Sequence, residues 1–216
     1  MLLLSCLVGV MACAGCGDSA TSAARPAEAS ANPVLAVTPP AERPLSGDAL
    51  GRMQGYLPNT MLTTHENKRV RFYDDLIKGK VVLINFMFTS CQASCPLTTL
   101  NLARVQAALG PRVGHDVFLY SITLDPARDT PEVLERYAQS VGAKPGWLFL
   151  TGSDDDIEFL RRKLGAYDPD PLIDADKTQH AGVVVLGNDA TGRWGAVPGL
   201  IKPAAIVQAV LRVVRG

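Results

Sequence analysis

From Val81 to Phe88 the chain reads VVLINFMF, apolar at nearly every position. Successive side chains of a strand point to opposite sides of a sheet, so a run that is apolar on both alternating faces belongs to a strand covered on both sides. Such a chain has to build layers above and below this strand, which is therefore expected at the centre of the sheet.

The other apolar runs fit around it. Val117 to Leu124 (VFLYSITL), Trp147 to Leu150 and Gly182 to Leu186 (GVVVL) have strand length, and helical patterns separate the first three strands. Alternating strands and helices predict an α/β sheet. Helix ends are marked by capping residues and prolines. Thr130-Pro131 opens one helix, Ser153 caps another carrying Ile157, Leu160 and Leu164 to Gly165, and Pro203 opens a last one with Ile206, Val207, Val210, Leu211 and Val214. Gly182 to Leu186, the turn residues Asn188 to Gly192, and Arg193 to Val197 predict a hairpin ahead of that last helix.

Directly after the central strand comes Thr89-Ser90-Cys91-Gln92-Ala93-Ser94-Cys95-Pro96, followed by Leu97, Leu100, Val105 and Leu109 in a helix that stops at Gly110. Proline fits best in the first turn of a helix, which puts Cys95 near the N-cap and Cys91 in the loop before it. Free N–H groups and the macrodipole at a helix N-terminus stabilise a thiolate, so Cys95 is expected to be the more acidic thiol. With Cys91 in a loop the two sulfurs could form a disulfide or converge on a soft metal ion such as Cu(I) or Zn(II). Pair geometry alone leaves a structural disulfide, a redox pair and a metal site open.

The remaining cysteines, Cys6, Cys13 and Cys16, fall in the first apolar stretch. Leu2 to Ala14 has the length of a signal-peptide core and is shorter than the ~20 residues of a spanning helix. It ends in Ala14-Gly15-Cys16, which resembles the lipobox of bacterial lipoproteins, with Cys16 as the lipidated residue, Cys13 as a second candidate and an uncleaved short anchor as a third. Residues 17–46 are rich in Ala, Ser, Thr and Pro and lack an aliphatic pattern, which predicts a flexible tether. The expected organisation is a leader at 1–16, a linker at 17–46 and one folded domain at 47–216. That places the domain outside the cytoplasm, tethered to a bacterial membrane and on the periplasmic side if the cell is Gram-negative. The formal net charge of +0, with Lys, Arg, Asp and Glu evenly spread, leaves no basic face for nucleic acid.

FMFTSCQASCP after an apolar strand, LDPARDTPEVLERYA further on, Leu150-Thr151-Gly152, and Gln179-His180 before a strand together resemble the SCO/SenC family, from about Leu57 to Arg212. The resemblance implies a thioredoxin-like fold with a mixed central sheet flanked by helices. It also implies copper, Cu(I) or Cu(II), held by Cys91, Cys95 and His180, and help in assembling the CuA centre of cytochrome c oxidase, whose CuA-bearing subunit becomes the expected partner. Where many members carry Pro-Asp between the cysteines, this chain has the uncharged Gln92-Ala93-Ser94. A thiol-disulfide reductase acting on CuA-site or other exported thiols, with Cys91 and Cys95 as its catalytic pair, is the alternative, and a copper or redox sensor is a third. His65 and His115 are expected in solvated loops, Asp125 in a turn, and Asp154, Asp155 and Asp156 in the first turn of a helix, where carboxylates complement the dipole.

Overall fold

A computed structural model describes residues 55–92, 94–176 and 182–215. The leader at 1–16 with Cys13 and Cys16, the linker at 17–46 and His180 lie outside the described residues.

The strands are β1 (Met61–Thr64), β2 (Arg69–Arg71), β3 (Val81–Met87), β4 (Val117–Thr123), β5 (Trp147–Thr151), β6 (Val183–Asn188) and β7 (Arg193–Pro198). They form one sheet in the order β2-β1-β5-β4-β3-β6-β7. The strand β3 pairs parallel with β4 and antiparallel with β6, and β4 pairs parallel with β5, so the sheet is mixed. Val82, Leu83, Ile84, Phe86 and Met87 are all buried, as a strand covered on both faces requires.

Among the described residues five α-helices accompany the sheet: α1 (Cys95–Leu109), α2 (Pro131–Ser140), α3 (Asp154–Lys163), α4 (Pro171–Ala175) and α5 (Pro203–Arg215). The expected caps are made, because Thr130 accepts from the Val133 N–H and Ser153 from the Asp156 N–H. The β6–β7 hairpin also forms as expected. Sequence patterning missed short pieces, among them α4 and the π-type helical turn Phe72–Ile77. Too short to show a period, both are held by tertiary contacts.

Side-chain bonds tie the layers together. On one face Phe149 of β5 packs edge-on to Tyr137 of α2, whose hydroxyl donates to Thr99 of α1 at 3.2 Å. On the other, the Tyr120 hydroxyl of β4 donates to the Leu76 carbonyl of the helical turn at 2.8 Å. Within the sheet Trp147 donates to Ser121, which donates to Asn85, giving a buried polar chain across three strands. Gly146 has φ +94°, and a Cβ there would lie 2.3 Å from the Gly114 nitrogen, so only glycine lets these two loops touch at the start of β5.

The helix α1 departs from expectation in its rotation. Leu97 and Leu100 are exposed, and Cys95, Thr98, Thr99, Leu102, Val105, Gln106 and Leu109 face inward. Its N-cap is Ser94 rather than Cys95, one residue earlier than the proline position suggests.

Arg161 of α3 is buried and forms a bidentate pair with Asp174 of α4 at 2.5 and 2.6 Å, while also reaching the Ala166 carbonyl. Beside that guanidinium the Asp174 carboxyl is held down to about 2. A carboxyl depressed on folding stabilises above its unfolded value and loses that contribution as pH falls through its folded one. The stability gap between the native protein and Asp174→Asn should therefore be constant above pH ~4 and close between pH ~4 and ~2. Chemical denaturation across that range checks it, and a gap independent of pH would count against an ionised pair.

Candidate metal and dithiol site

The site grows from the end of β3. There the ladder continues one step, with the Leu124 N–H donating to the Met87 carbonyl at 2.7 Å, and the chain then turns away from the sheet. Thr89 marks the departure. Its N–H and hydroxyl both donate to the Asp129 carboxylate, at 3.1 and 2.5 Å, and the Thr123 hydroxyl donates to the same carboxylate at 2.5 Å. The Cys91 N–H then closes a tight turn onto the Phe88 carbonyl at 3.2 Å, and the Thr98 N–H donates to the Ser94 carbonyl to begin α1.

This path brings Cys91 and Cys95 together. Both are buried and neither is in a disulfide. Cys95 occupies the first turn of α1, as the proline implied, but its acidity runs opposite to expectation. Burial pushes the Cys95 thiol up, to about 12, and the contact with Cys91 adds to the rise. Backbone hydrogen bonds at Phe88 and Cys95 pull the other way without offsetting it. Desolvation of a thiolate outweighs the helix terminus here because the sulfur is enclosed rather than facing solvent.

A third segment reaches the same place. A Cβ on Gly182 would lie 3.8 Å from the Ser94 hydroxyl, and the Gly182 carbonyl accepts from the Gly199 N–H at 2.6 Å. Gly199 presses on Thr98, and the Asn101 amide donates to the Gly199 and Ile201 carbonyls at 3.0 and 3.1 Å. The start of β6, the end of β7 and the start of α1 thus meet beside the thiols. His180, two residues before Gly182, lies outside the described residues. Among the described residues no three His, Cys, Asp or Glu side chains gather as a metal group.

The other candidates separate clearly. Asp125 shapes a turn, with its N–H on the Thr123 hydroxyl and its carbonyl accepting from Arg128 and Asp129. His115 is exposed, as expected. His65 is not a solvated loop residue: it is half-buried, its N–H donates to the Phe149 carbonyl, its Nδ1 accepts from the Phe149 N–H, and its ring meets Phe149 edge-on. It extends the sheet past the end of β1. Asp154, Asp155 and Asp156 fill the first turn of α3, as read. Asp129, buried and never singled out in the sequence, ties the Asp-Pro-x-x-Asp-Thr-Pro segment to the cysteine loop. The alternation of that segment with β3 gave no sign of the link, which is made across 40 residues.

Residues 59–215 match the SCO1/SenC family model. A Stutzerimonas stutzeri protein named for copper binding is 30% identical over 148 residues, 66% of this chain and 68% of its own length. Against an SCO2-like protein of Rickettsia prowazekii, the match spans less than half of the relative's length, 45%. Among solved structures, an SCO1/SenC family lipoprotein from Bacillus anthracis is 27% identical with a TM-score of 0.60, covering 73% of this chain and 94% of that one. Bradyrhizobium japonicum ScoI with copper bound is 28% identical with a TM-score of 0.57, covering 71% and 96%. BsSco, a member of the Sco family of cytochrome c oxidase assembly proteins in which a disulfide switch was identified, is 26% identical with a TM-score of 0.58, covering 72% and 91%. The mixed sheet flanked by helices is the thioredoxin-like architecture that the resemblance implied.

An enclosed, protonated thiol reacts slowly with alkylating agents, because the thiolate is the nucleophile. Cys95 in the folded, reduced protein should react with iodoacetamide at pH 8 at least about tenfold more slowly than in the urea-unfolded chain. Peptide mass spectrometry resolves the residue, and a native rate equal to or above the unfolded one would restore the acidic-thiol expectation.

Proposed function

This chain belongs to the SCO1/SenC family, and on that premise we propose that it is a copper metallochaperone whose cargo is held by Cys91, Cys95 and His180 and passed to the CuA-bearing subunit of cytochrome c oxidase. One observation carries the reading: two buried thiols just past the end of β3, with Gly182 packed against Ser94 beside them. His180 precedes Gly182 by two residues in the sequence. Two thiolates and an imidazole form a three-coordinate donor set that favours a soft ion, and Cu(I) suits it best.

Loading requires both sulfurs to give up protons, so copper binding releases them to solvent. The raised Cys95 thiol holds its proton until the metal replaces it. Delivery is then a ligand exchange, in which thiolates of the acceptor take the ion as the Cys91 and Cys95 sulfurs reprotonate. A lipid or short anchor within residues 1–16 and a tether at 17–46 would hold the domain at the membrane outside the cytoplasm, where the acceptor domain is reached.

A thiol-disulfide reductase is the second reading. The burial of Cys91 and Cys95 on either side of one short loop favours it, and so does the disulfide switch identified in BsSco. The histidine separates the two readings, because imidazole supplies a coordination bond and no sulfur. In the reduced protein His180→Ala should weaken Cu(I) by about tenfold or more while the Cys91–Cys95 disulfide still forms, and Cys91→Ser or Cys95→Ser should abolish both. Competition titration against a Cu(I) chelator, run beside a thiol assay, measures this. Unaltered Cu(I) affinity in His180→Ala with a changed exchange rate would put the reductase first.

A further inference from the structure

Cys91 and Cys95 are held in place by different means. Cys95 stands on the first turn of α1, and that end of the helix has anchors of its own. The Thr98 N–H donates to the Ser94 carbonyl at 3.0 Å, Tyr137 donates to Thr99, and Asn101 donates to the Gly199 and Ile201 carbonyls. Cys91 belongs to no helix or strand. It is the last residue of the turn Phe88-Thr89-Ser90-Cys91, closed by the bond from its N–H to the Phe88 carbonyl at 3.2 Å. That bond uses the first and last residues, so nothing within the turn satisfies the N–H of Thr89, the second residue.

The partner of Thr89 is a buried side chain 40 residues away. One Asp129 oxygen accepts the Thr89 hydroxyl at 2.5 Å, and the other accepts the Thr89 N–H at 3.1 Å and the Thr123 hydroxyl at 2.5 Å. Thr89 is thus gripped through backbone and side chain at once, which fixes its orientation as well as its place. Thr123, the last residue of β4, ties the same carboxylate to the sheet. We infer that Asp129 is a positioning residue for Cys91: by gripping Thr89 it holds the turn in the form that encloses the Cys91 sulfur, whereas Cys95 depends on α1. The inference rests on the reading of Cys91 as a working thiol and adds the residue that places it.

The test compares the two thiols in the reduced full-chain protein. A pulse of iodoacetamide at pH 8, heavy-isotope labelling of the remaining thiols after unfolding, and tandem mass spectrometry give a rate for each. Alkylation of an enclosed thiol needs local opening, which becomes more frequent as the bonds holding its segment are removed. Thr89→Val keeps the branched shape and the N–H but loses the hydroxyl bond to Asp129. It should raise the Cys91 rate about tenfold and leave the Cys95 rate within about twofold of native. Thr89→Ser restores the hydroxyl and should bring the Cys91 rate back to within about twofold of native. Asp129→Asn offers fewer acceptor sites to the three donors and should act as Thr89→Val does. A general loss of stability raises both rates together, so Ser121→Ala, which breaks the buried polar chain away from the cysteines, should leave their ratio unchanged. An unchanged Cys91 rate in Thr89→Val, an equal rise at both thiols, or no recovery in Thr89→Ser would overturn the inference. If Asp129→Asn does not fold, the two Thr89 variants decide alone. No metal takes part, so the rates stay readable even where the His180→Ala titration rejects the copper reading.

Discussion

Burying β3 on both faces is the constraint from which the rest of the molecule follows. Enclosing Val82, Leu83, Ile84, Phe86 and Met87 contributes about 1.5–3 kcal/mol each as an upper estimate. That total far exceeds the cost of burying Asn85, whose carbonyl is met by the Ser121 hydroxyl. With both faces covered and both edges paired, to β4 and β6, the chain leaving β3 can only emerge at the end of the sheet. The cysteine loop therefore opens at an edge of the core, close enough to it that both thiols are enclosed. Because β6 runs antiparallel to β3, its first residues arrive at that same end.

Enclosure governs the chemistry of the pair. A thiol at a helix terminus feels the macrodipole, worth ~0.3–1 kcal/mol at exposed sites. The same thiol loses hydration on burial, and here that loss is the larger effect. The outcome is a Cys95 thiol that holds its proton until something replaces it. In the copper reading proposed above, an incoming soft cation would do so with two bonds to sulfur. A neutral alkylating agent has no such compensation, which separates metal capture from general thiol reactivity at one pair of residues.

Much of this was legible in the sequence. Period-two and period-3.6 patterns located β3 to β7 and the three helices opened by Thr130, Ser153 and Pro203, because each of these signals lies within one short segment. The Cys-x3-Cys-Pro spacing placed the pair at a strand-to-helix junction for the same reason. What could not be read depends on partners far along the chain. His65 looks like a turn residue until Phe149 is brought beside it, and Asp129 looks like a helix-flanking acid until Thr89 is. Arg161 sits among charged residues in a polar helix, and the distant Asp174 joins Glu158 of the same helix in pairing it once buried. The acidity of Cys95 failed as an expectation because sequence gives the dipole but not the depth of burial.

The helix α1 shows why its rotation escaped a hydropathy reading. Its first two turns bury Thr98 and Thr99 and expose Leu97 and Leu100, so polarity there runs opposite to burial. Each inward polar residue meets a specific neighbour. Thr98 lies under Gly199, where a Cβ would stand 2.7 Å from the threonine methyl. Thr99 receives the Tyr137 hydroxyl, and Gln106 both donates to the Lys144 carbonyl and accepts from its N–H. Apolar packing alone tolerates some rolling of a helix, because dispersion and burial have little directionality. Hydrogen bonds do not tolerate it, since they weaken steeply once bent. By fixing α1 through directional bonds on its inner face, the chain also fixes the direction in which Cys95, in the first turn, presents its sulfur to Cys91.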